Sequence, residues 1–260
     1  MVNSVTIGSL TIDGNPYTIS QMSGLGSANV ETTAFPRPDV RGLSFIRSTY
    51  RDRRVSIQGT ITGTTVSNYL SNRRSFFGAL NNTDGLFTVK FTLQDGLALQ
   101  FDAVVENPIE APYLPGYVTS GDYMIELKAP DPAFYAQAAS SGEVGLASGE
   151  TLTSAGNLAS YPEFYVYGPG TNFTIVNTSA TTGESKTMQL LGTLASGEWY
   201  YVDVRDKQIF RNTAINDFEV HAGQWWNIEP GNNNITFAVA SGSTDDTRFV
   251  AIWRDAYIGI

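Results

Sequence analysis

The sequence predicts a mainly β protein: an N-terminal mixed β domain with one α-helix, then a C-terminal β-sandwich of jelly-roll type. Three observations lead there. Short runs rich in Val, Thr, Tyr and Phe recur between turns built from Gly, Asn and Asp, the pattern of antiparallel sheet. Only residues 66–81 carry a helical period. The stretch Ala129-Pro130-Asp131-Pro132-Ala133-Phe134-Tyr135 ends one β-rich segment, and a Ser/Gly/Ala run follows it. Its two prolines fix φ and push Ala129 and Asp131 out of the helical region, giving a stiff extended strap. The run after it has little to bury and reads as a flexible tether. The expected division is therefore a domain over 1–135, a linker over 136–149 and a second domain over 150–260.

The first domain should begin with a strand over Val5–Ile12, an Asp13-Gly14 hairpin turn, and Tyr17-Thr18-Ile19 pairing back across it. Residues 27–48 are rich in Thr, Pro and Arg without a clean period, which suggests a long irregular arm; loops of that length tend to be functional. Residues 50–61 read as a strand with a bulge at Gly59. In the helix, Tyr69, Arg73, Phe76, Phe77 and Leu80 fall on one face, with Ser67 as the expected N-cap and Asn81-Asn82 with Gly85 as the stop. Strands follow over Leu86–Leu93, Leu97–Glu106 and Tyr123–Lys128, with Asp95-Gly96 as the turn between the first two. Asn107–Gly121, with Tyr113 and Tyr117, reads as an excursion. The second domain should hold strands over 161–167, 172–177, 186–191, 198–203, 208–210, 219–228, 234–240 and 247–260.

At 260 residues with 42% hydrophobic and 16% charged residues, the chain can bury a sizeable core. A net charge of −9 opposes nucleic-acid binding. The charge is uneven: residues 1–135 carry 10 Lys/Arg against 12 Asp/Glu, residues 136–260 carry 6 against 13. The absence of cysteine excludes disulfides, thiolate metal sites and thiol nucleophiles. No apolar run is long enough to span a membrane, and the N-terminus shows no secretory signal, so a soluble product of the cytoplasm is expected.

Candidate chemistry is sparse. His221 is the only histidine, which excludes a histidine triad partner set or a multi-histidine metal site. Asp245-Asp246 on a turn resembles a calcium or acid/base loop faintly; solvated carboxylates are the plainer reading. No phosphate loop, dinucleotide fingerprint or nucleophile elbow occurs, and no catalytic residue, cofactor or metal is assigned. The arginines at 47, 51, 53 and 54 suit an edge or subunit interface paired to carboxylates better than a nucleic-acid grip. Arg51, Arg53 and Arg54, with Tyr69, Arg73 and Phe77 of the helix, are the expected inter-subunit contacts. Trp199-Tyr200-Tyr201 and Trp225-Trp226 lie on β runs, where neighbours face opposite sides. Trp199, Tyr201, Trp225 and Trp226 could stack on sugar rings, although filling a core or an interface is the plainer role.

Several segments together resemble a known family. Ile12-Asp13-Gly14 with Tyr17, then Tyr50-Arg51-Asp52-Arg53-Arg54, the strap at 129–135, and the terminus Trp253-Arg254-Asp255-Ala256-Tyr257-Ile258-Gly259-Ile260 are similar to the distal tail (Dit) proteins of long, non-contractile-tailed bacteriophages. Their order, spacing and total length cover the whole chain. The resemblance implies a non-enzymatic virion protein at the tail tip, made in the host cytoplasm. It implies a β-barrel-like first domain that assembles as a homo-hexameric ring and a second domain that is a galectin-like or carbohydrate-binding-type β-sandwich projecting outward. The implied partners are the tail tube protein, the tail-hub protein and, in some phages, receptor-binding proteins, with DNA passing through the ring and no membrane contact. The chain is too short for the large carbohydrate-binding insertions of some members. Two other readings stand beside this one: a carbohydrate-binding adhesin acting through the aromatics of the second domain, and a glycoside hydrolase, whose carboxylate pairing sequence cannot reveal.

Overall fold

The computed structural model describes every residue except 1, 38–40, 82–84, 113–115, 117, 147, 213 and 217; Asn82, Tyr113 and Tyr117 thus lie outside the described residues. The chain forms two compact units, Met1–Gln137 with Ile258–Ile260, and Ala138–Tyr257.

The first unit contains β1 (Val2–Ile7), β2 (Leu10–Ile12), β3 (Tyr17–Ser23), β4 (Val30–Pro36), β5 (Leu43–Tyr50), β6 (Arg53–Thr62), α1 (Val66–Leu80), β7 (Phe87–Leu93), β8 (Ala98–Val105), β9 (Ser120–Ala129) and β10 (Phe134–Ala136). Its main antiparallel sheet runs β2-β1-β7-β8-β9-β6-β3, with β10 also paired to β8. An isolated Gly14–Tyr17 bridge closes the turn between β2 and β3. The first hairpin turn lies earlier than the sequence suggests. β1 returns as β2 across Gly8, whose φ of 56° is cheap for glycine, and β3 pairs with β6 instead of folding back on β2. The Asp95-Gly96 turn forms as read, with the Leu97 amide donating to Asp95 Oδ1 at 3.0 Å.

β6 alternates without interruption, burying Val55, Ile57, Gly59 and Ile61. The bulge expected at Gly59 is absent; the register shift sits in its partner β3, between Ile19 and Gln21. Gly59 has another reason. A Cβ there would lie 1.8 Å from the Thr18 carbonyl oxygen and 2.6 Å from the Tyr123 hydroxyl. Without it, Tyr123 reaches over the strand and donates to Thr18 O at 2.9 Å.

α1 begins one turn edge before the expected cap. Thr65, not Ser67, is the N-cap, its Oγ1 accepting from the Asn68 amide at 3.1 Å. Tyr69, Phe76 and Leu80 are buried, and Phe76 packs between Tyr17 and Tyr123 at 5.4 and 4.6 Å. The strap is fastened by Asp131, which accepts from the Ala133 amide and the Tyr135 hydroxyl. That places Phe134 between Phe91 and Phe101.

Residues 27–48 are not an irregular arm. β4 and β5 form a separate two-stranded antiparallel ribbon from Val30↔Tyr50 to Pro36↔Leu43. The sequence hides it because β5 is exposed at all eight positions: a strand with no core face has no reason to alternate.

The second unit contains β11 (Ser140–Gly145), β12 (Gly149–Ser154), β13 (Glu163–Tyr167), β14 (Gly170–Ser179), β15 (Ser185–Leu194), β16 (Trp199–Asp203), β17 (Gln208–Arg211), β18 (Ala214–Asn216), β19 (His221–Gly223), β20 (Gly231–Ser241), β21 (Arg248–Trp253) and β22 (Ala256–Tyr257). Two antiparallel sheets, β11-β21-β13-β16-β17-β18 and β12-β20-β14-β15-β19, make a sandwich. One sheet contributes Phe164, Val166, Tyr200, Val202 and Phe249 to the core; the other contributes Phe173, Ile175, Met188, Leu190 and Phe237. The tether expected over 136–149 is corrected here. Ser140–Gly145 pairs in full with β21, and its small residues serve close packing, since a Cβ on Gly142 would lie 2.1 Å from Leu152 Cδ2.

Candidate functional site: two exposed β surfaces

The six residues expected at a subunit interface separate into distinct environments. Arg53 is 1% exposed. Its Nε donates to Pro132 O at 2.6 Å, Nη1 to Gly24 O at 2.9 Å and Gly26 O at 2.5 Å, and Nη2 to Ile258 O. The guanidinium lies 4.0 Å over the Phe134 ring. Burial lowers its pKa to about 10, against the opposing pull of Asp131, so it stays charged at neutral pH. The planar five-donor fork suits a convergence of backbone carbonyls that a lysine could not satisfy. Arg53 therefore ties the entry to β4, the strap and the chain's last residues onto β6, and offers nothing to a partner. Tyr69, 3% exposed, is likewise core; a Cβ on Gly121 would lie 2.3 Å from its hydroxyl.

The other four remain nearer the surface. Arg51 pairs with Glu31 across the foot of the ribbon. Arg54 joins Glu106 at 2.9 Å in a chain that also holds Asp52 and Lys128, a screened surface network of small energetic weight. Arg73 donates to Ala111 O and lies 4.9 Å over half-buried Phe77.

The first large unpartnered surface is the ribbon. Phe45 (65%), Leu43 (63%), Phe35 (59%), Val30 (55%) and Ile46 (52%) are all open to water. An isolated two-stranded ribbon is marginal in water, and this one has no sheet or helix paired to it among the described residues.

The second is the outer face of the β13–β16–β17 sheet. Tyr165 faces Tyr201 in register, Tyr167 faces Trp199, and Tyr201 faces Phe210. The ring centroids lie 5.1 Å apart for Tyr165–Tyr201, 5.8 Å for Tyr165–Trp199 and 6.0 Å for Tyr201–Phe210. Arg248 closes one end, its guanidinium 4.4 Å over Tyr167. Glu163 and Asp203, directly opposite each other, close the other. Burial, reinforced by those carboxylates, raises the Tyr201 hydroxyl's pKa. Trp199 and Tyr201 are thus outward and half-buried. Of the other two aromatics expected to stack on sugars, Trp226 is 1% exposed and packs 4.5 Å from Phe164, so it belongs to the core, and Trp225 stacks on His221 at 4.3 Å. Sequence reasoning missed Tyr165, Tyr167 and Phe210. The signal was present in Glu163–Tyr167, where Tyr alternates with Phe and Val, so both faces of the strand are apolar.

Burial lowers the pKa of His221. Asp245 and Asp246 lie in a turn closed by reciprocal hydrogen bonds between Thr244 and Thr247. Among the described residues no three His, Asp or Glu side chains gather as metal ligands, and no helix is long and apolar enough to cross a membrane.

The geometry defines a class: a two-unit, mainly β protein whose first unit combines an antiparallel sheet with one helix and whose second is a sandwich. Among solved structures, the chain is similar to the Dit protein of phage SPP1, described as a paradigm of the hub adsorption apparatus in phages infecting Gram-positive bacteria. That likeness has a TM-score of 0.72 at 11% identity, covering 97% of this chain and 98% of the other. It is also similar to a chain of the activated phage P2 baseplate with calcium, at a TM-score of 0.52 and 10% identity, covering 98% of each. No protein-family model matches, and no curated protein matches in sequence. The chain is Dit-like in fold over essentially its whole length.

Proposed function

We propose that the protein is a structural component of a phage tail tip, forming a hexameric ring through its first unit. In this reading the ring joins the tail tube to the tail hub and docks receptor-binding components, and the role is assembly rather than catalysis. The observation that carries it is the β4–β5 ribbon. A separate strand pair with five large apolar side chains more than half exposed is marginal in water and marks a surface that a partner covers, and a copy of the same chain is the occupant proposed. A closed ring needs a heterologous contact, in which a projecting element on one subunit meets a different face of the next. Arg51, Arg54, Arg73 and Phe77 remain candidates for that contact; Arg53 and Tyr69 act inside the subunit instead.

The test is assembly of purified protein carrying Leu43→Asp and Phe45→Asp. The expected result is a folded monomer where the unsubstituted chain forms rings. Rings of unchanged mass would remove the ribbon from the interface.

A further inference from the structure

We propose that the outer face of β13, β16 and β17 binds a neutral oligosaccharide, with Tyr165, Trp199 and Tyr201 as the stacking floor and Glu163, Asp203 and Arg248 as the polar ends. This goes beyond the ring-forming role and is independent of it.

The floor is built by strand register. Tyr165 stands between Tyr201 across the strand pair and Tyr167 along its own strand, the two Tyr165 and Tyr167 rings 6.2 Å apart and 16° from parallel. Trp199 lies 5.8 Å from Tyr165. Each ring is half-buried: its lower part is fixed by neighbours, while the remainder faces out. Fixed aromatic faces suit the flat C–H face of a pyranose, because little conformational entropy is lost on stacking. The other side of the same strands fills the sandwich core with Phe164, Val166, Tyr200 and Val202. The outer rings are therefore not needed to make the sheet amphipathic, and a strand serving only the fold would carry polar residues there.

The ends point to hydroxyl groups. Glu163 and Asp203 are directly opposed, a like-charge pairing that costs stability in an antiparallel sheet. Neither makes an ion pair among the described residues. They supply carboxylate acceptors at one end, one oxygen of Asp203 being taken by the Asp206 amide at 3.0 Å. At the other end Arg248, 4.4 Å over Tyr167, is paired with Glu143 at 3.7 Å, so that end offers donor and acceptor together. Sugar hydroxyls both donate and accept, so carboxylates at one end and an Arg248–Glu143 pair at the other end of an apolar floor match a neutral glycan.

The experiment is a fluorescence and calorimetric titration of the full chain with neutral di- to tetrasaccharides of glucose, galactose and N-acetylglucosamine. Light scattering of every variant is measured alongside. The expected result is saturable binding of at least one probe with a shift of tryptophan emission. Tyr165→Ala and Trp199→Ala should weaken it by roughly tenfold or more, and Trp225→Ala should leave it unchanged. Glu163→Gln, a surface change that leaves the rings in place, should weaken it severalfold. Three results would overturn the proposal: no saturable binding by any probe at millimolar concentration, affinity unaffected by Tyr165→Ala and Glu163→Gln, or loss of assembly in the folded Tyr165→Ala protein. The last would make the face a contact between copies. Normal rings without sugar binding would defeat this inference alone, and sugar binding without rings would defeat only the proposed assembly.

Discussion

The β4–β5 ribbon and the β13–β16–β17 sheet both present apolar side chains to water, for opposite structural reasons. Among the described residues no other strand pairs with the ribbon, all of β5 is exposed, and Arg53 fastens the chain at its feet. Arg53 gathers Gly24 and Gly26 just before β4 and lies three residues beyond the end of β5. The sheet face is the reverse, a rigid floor standing on a filled core in which Phe164, Trp226 and Phe249 pack against one another. An element that gains order from a partner suits assembly; one that is ordered beforehand suits recognition of a small ligand.

The comparison can be broken at its supports. The largest effect is expected for Trp226→Ala, which empties the sandwich core beneath the aromatic floor. It should cost about 3–5 kcal/mol in denaturant unfolding of the second unit and leave the first unit's transition in place. Arg53→Ala leaves the carbonyls of Pro132, Gly24, Gly26 and Ile258 without their donor and should cost about 2–4 kcal/mol. Its mark would be faster amide exchange at both feet of the ribbon, and Arg53→Lys should restore little of it.

The ribbon and floor themselves should behave as surfaces. Phe45→Asp is expected to change monomer stability by less than about 0.5 kcal/mol while abolishing assembly, as read from the Tm and the mass in solution. The smallest effect concerns pH. Burial holds the folded pKa of His221 below its unfolded value of about 6.5. The unfolded chain then binds the proton more readily, so stability is intact above that value and falls as pH drops through it. His221→Gln should flatten that slope in thermal unfolding of the second unit from pH 7.5 to 5.5.

Much of the fold was legible in the sequence because most strands have one buried face. Strands β7, β8, β9, β13, β16 and β20 alternate cleanly, and the helix shows its face through Tyr69, Phe76 and Leu80. The failures share a cause: a residue's role was set by something distant in sequence. Gly59 resembled a bulge, but it is required by a hydroxyl 64 positions away on Tyr123. Arg53 resembled surface charge because its partners are backbone carbonyls, the farthest 205 residues along the chain. β11 resembled a tether because its glycines and serines admit a neighbouring side chain. The aromatic face was half legible: Trp199 and Tyr201 were read as outward candidates, but their junction with Tyr165 and Phe210 exists only once β13, β16 and β17 are in register.

The central claim is that the ribbon is an assembly element completed by another copy of the chain. The most direct test is the mass in solution, by light scattering over a concentration range, of the unsubstituted protein beside the Leu43→Asp/Phe45→Asp variant, with negative-stain images of the largest species. The account predicts an open-centred six-fold particle near six times the 28.2 kDa chain mass for the first and a folded monomer for the second. Equal masses for the two proteins at every concentration would contradict it.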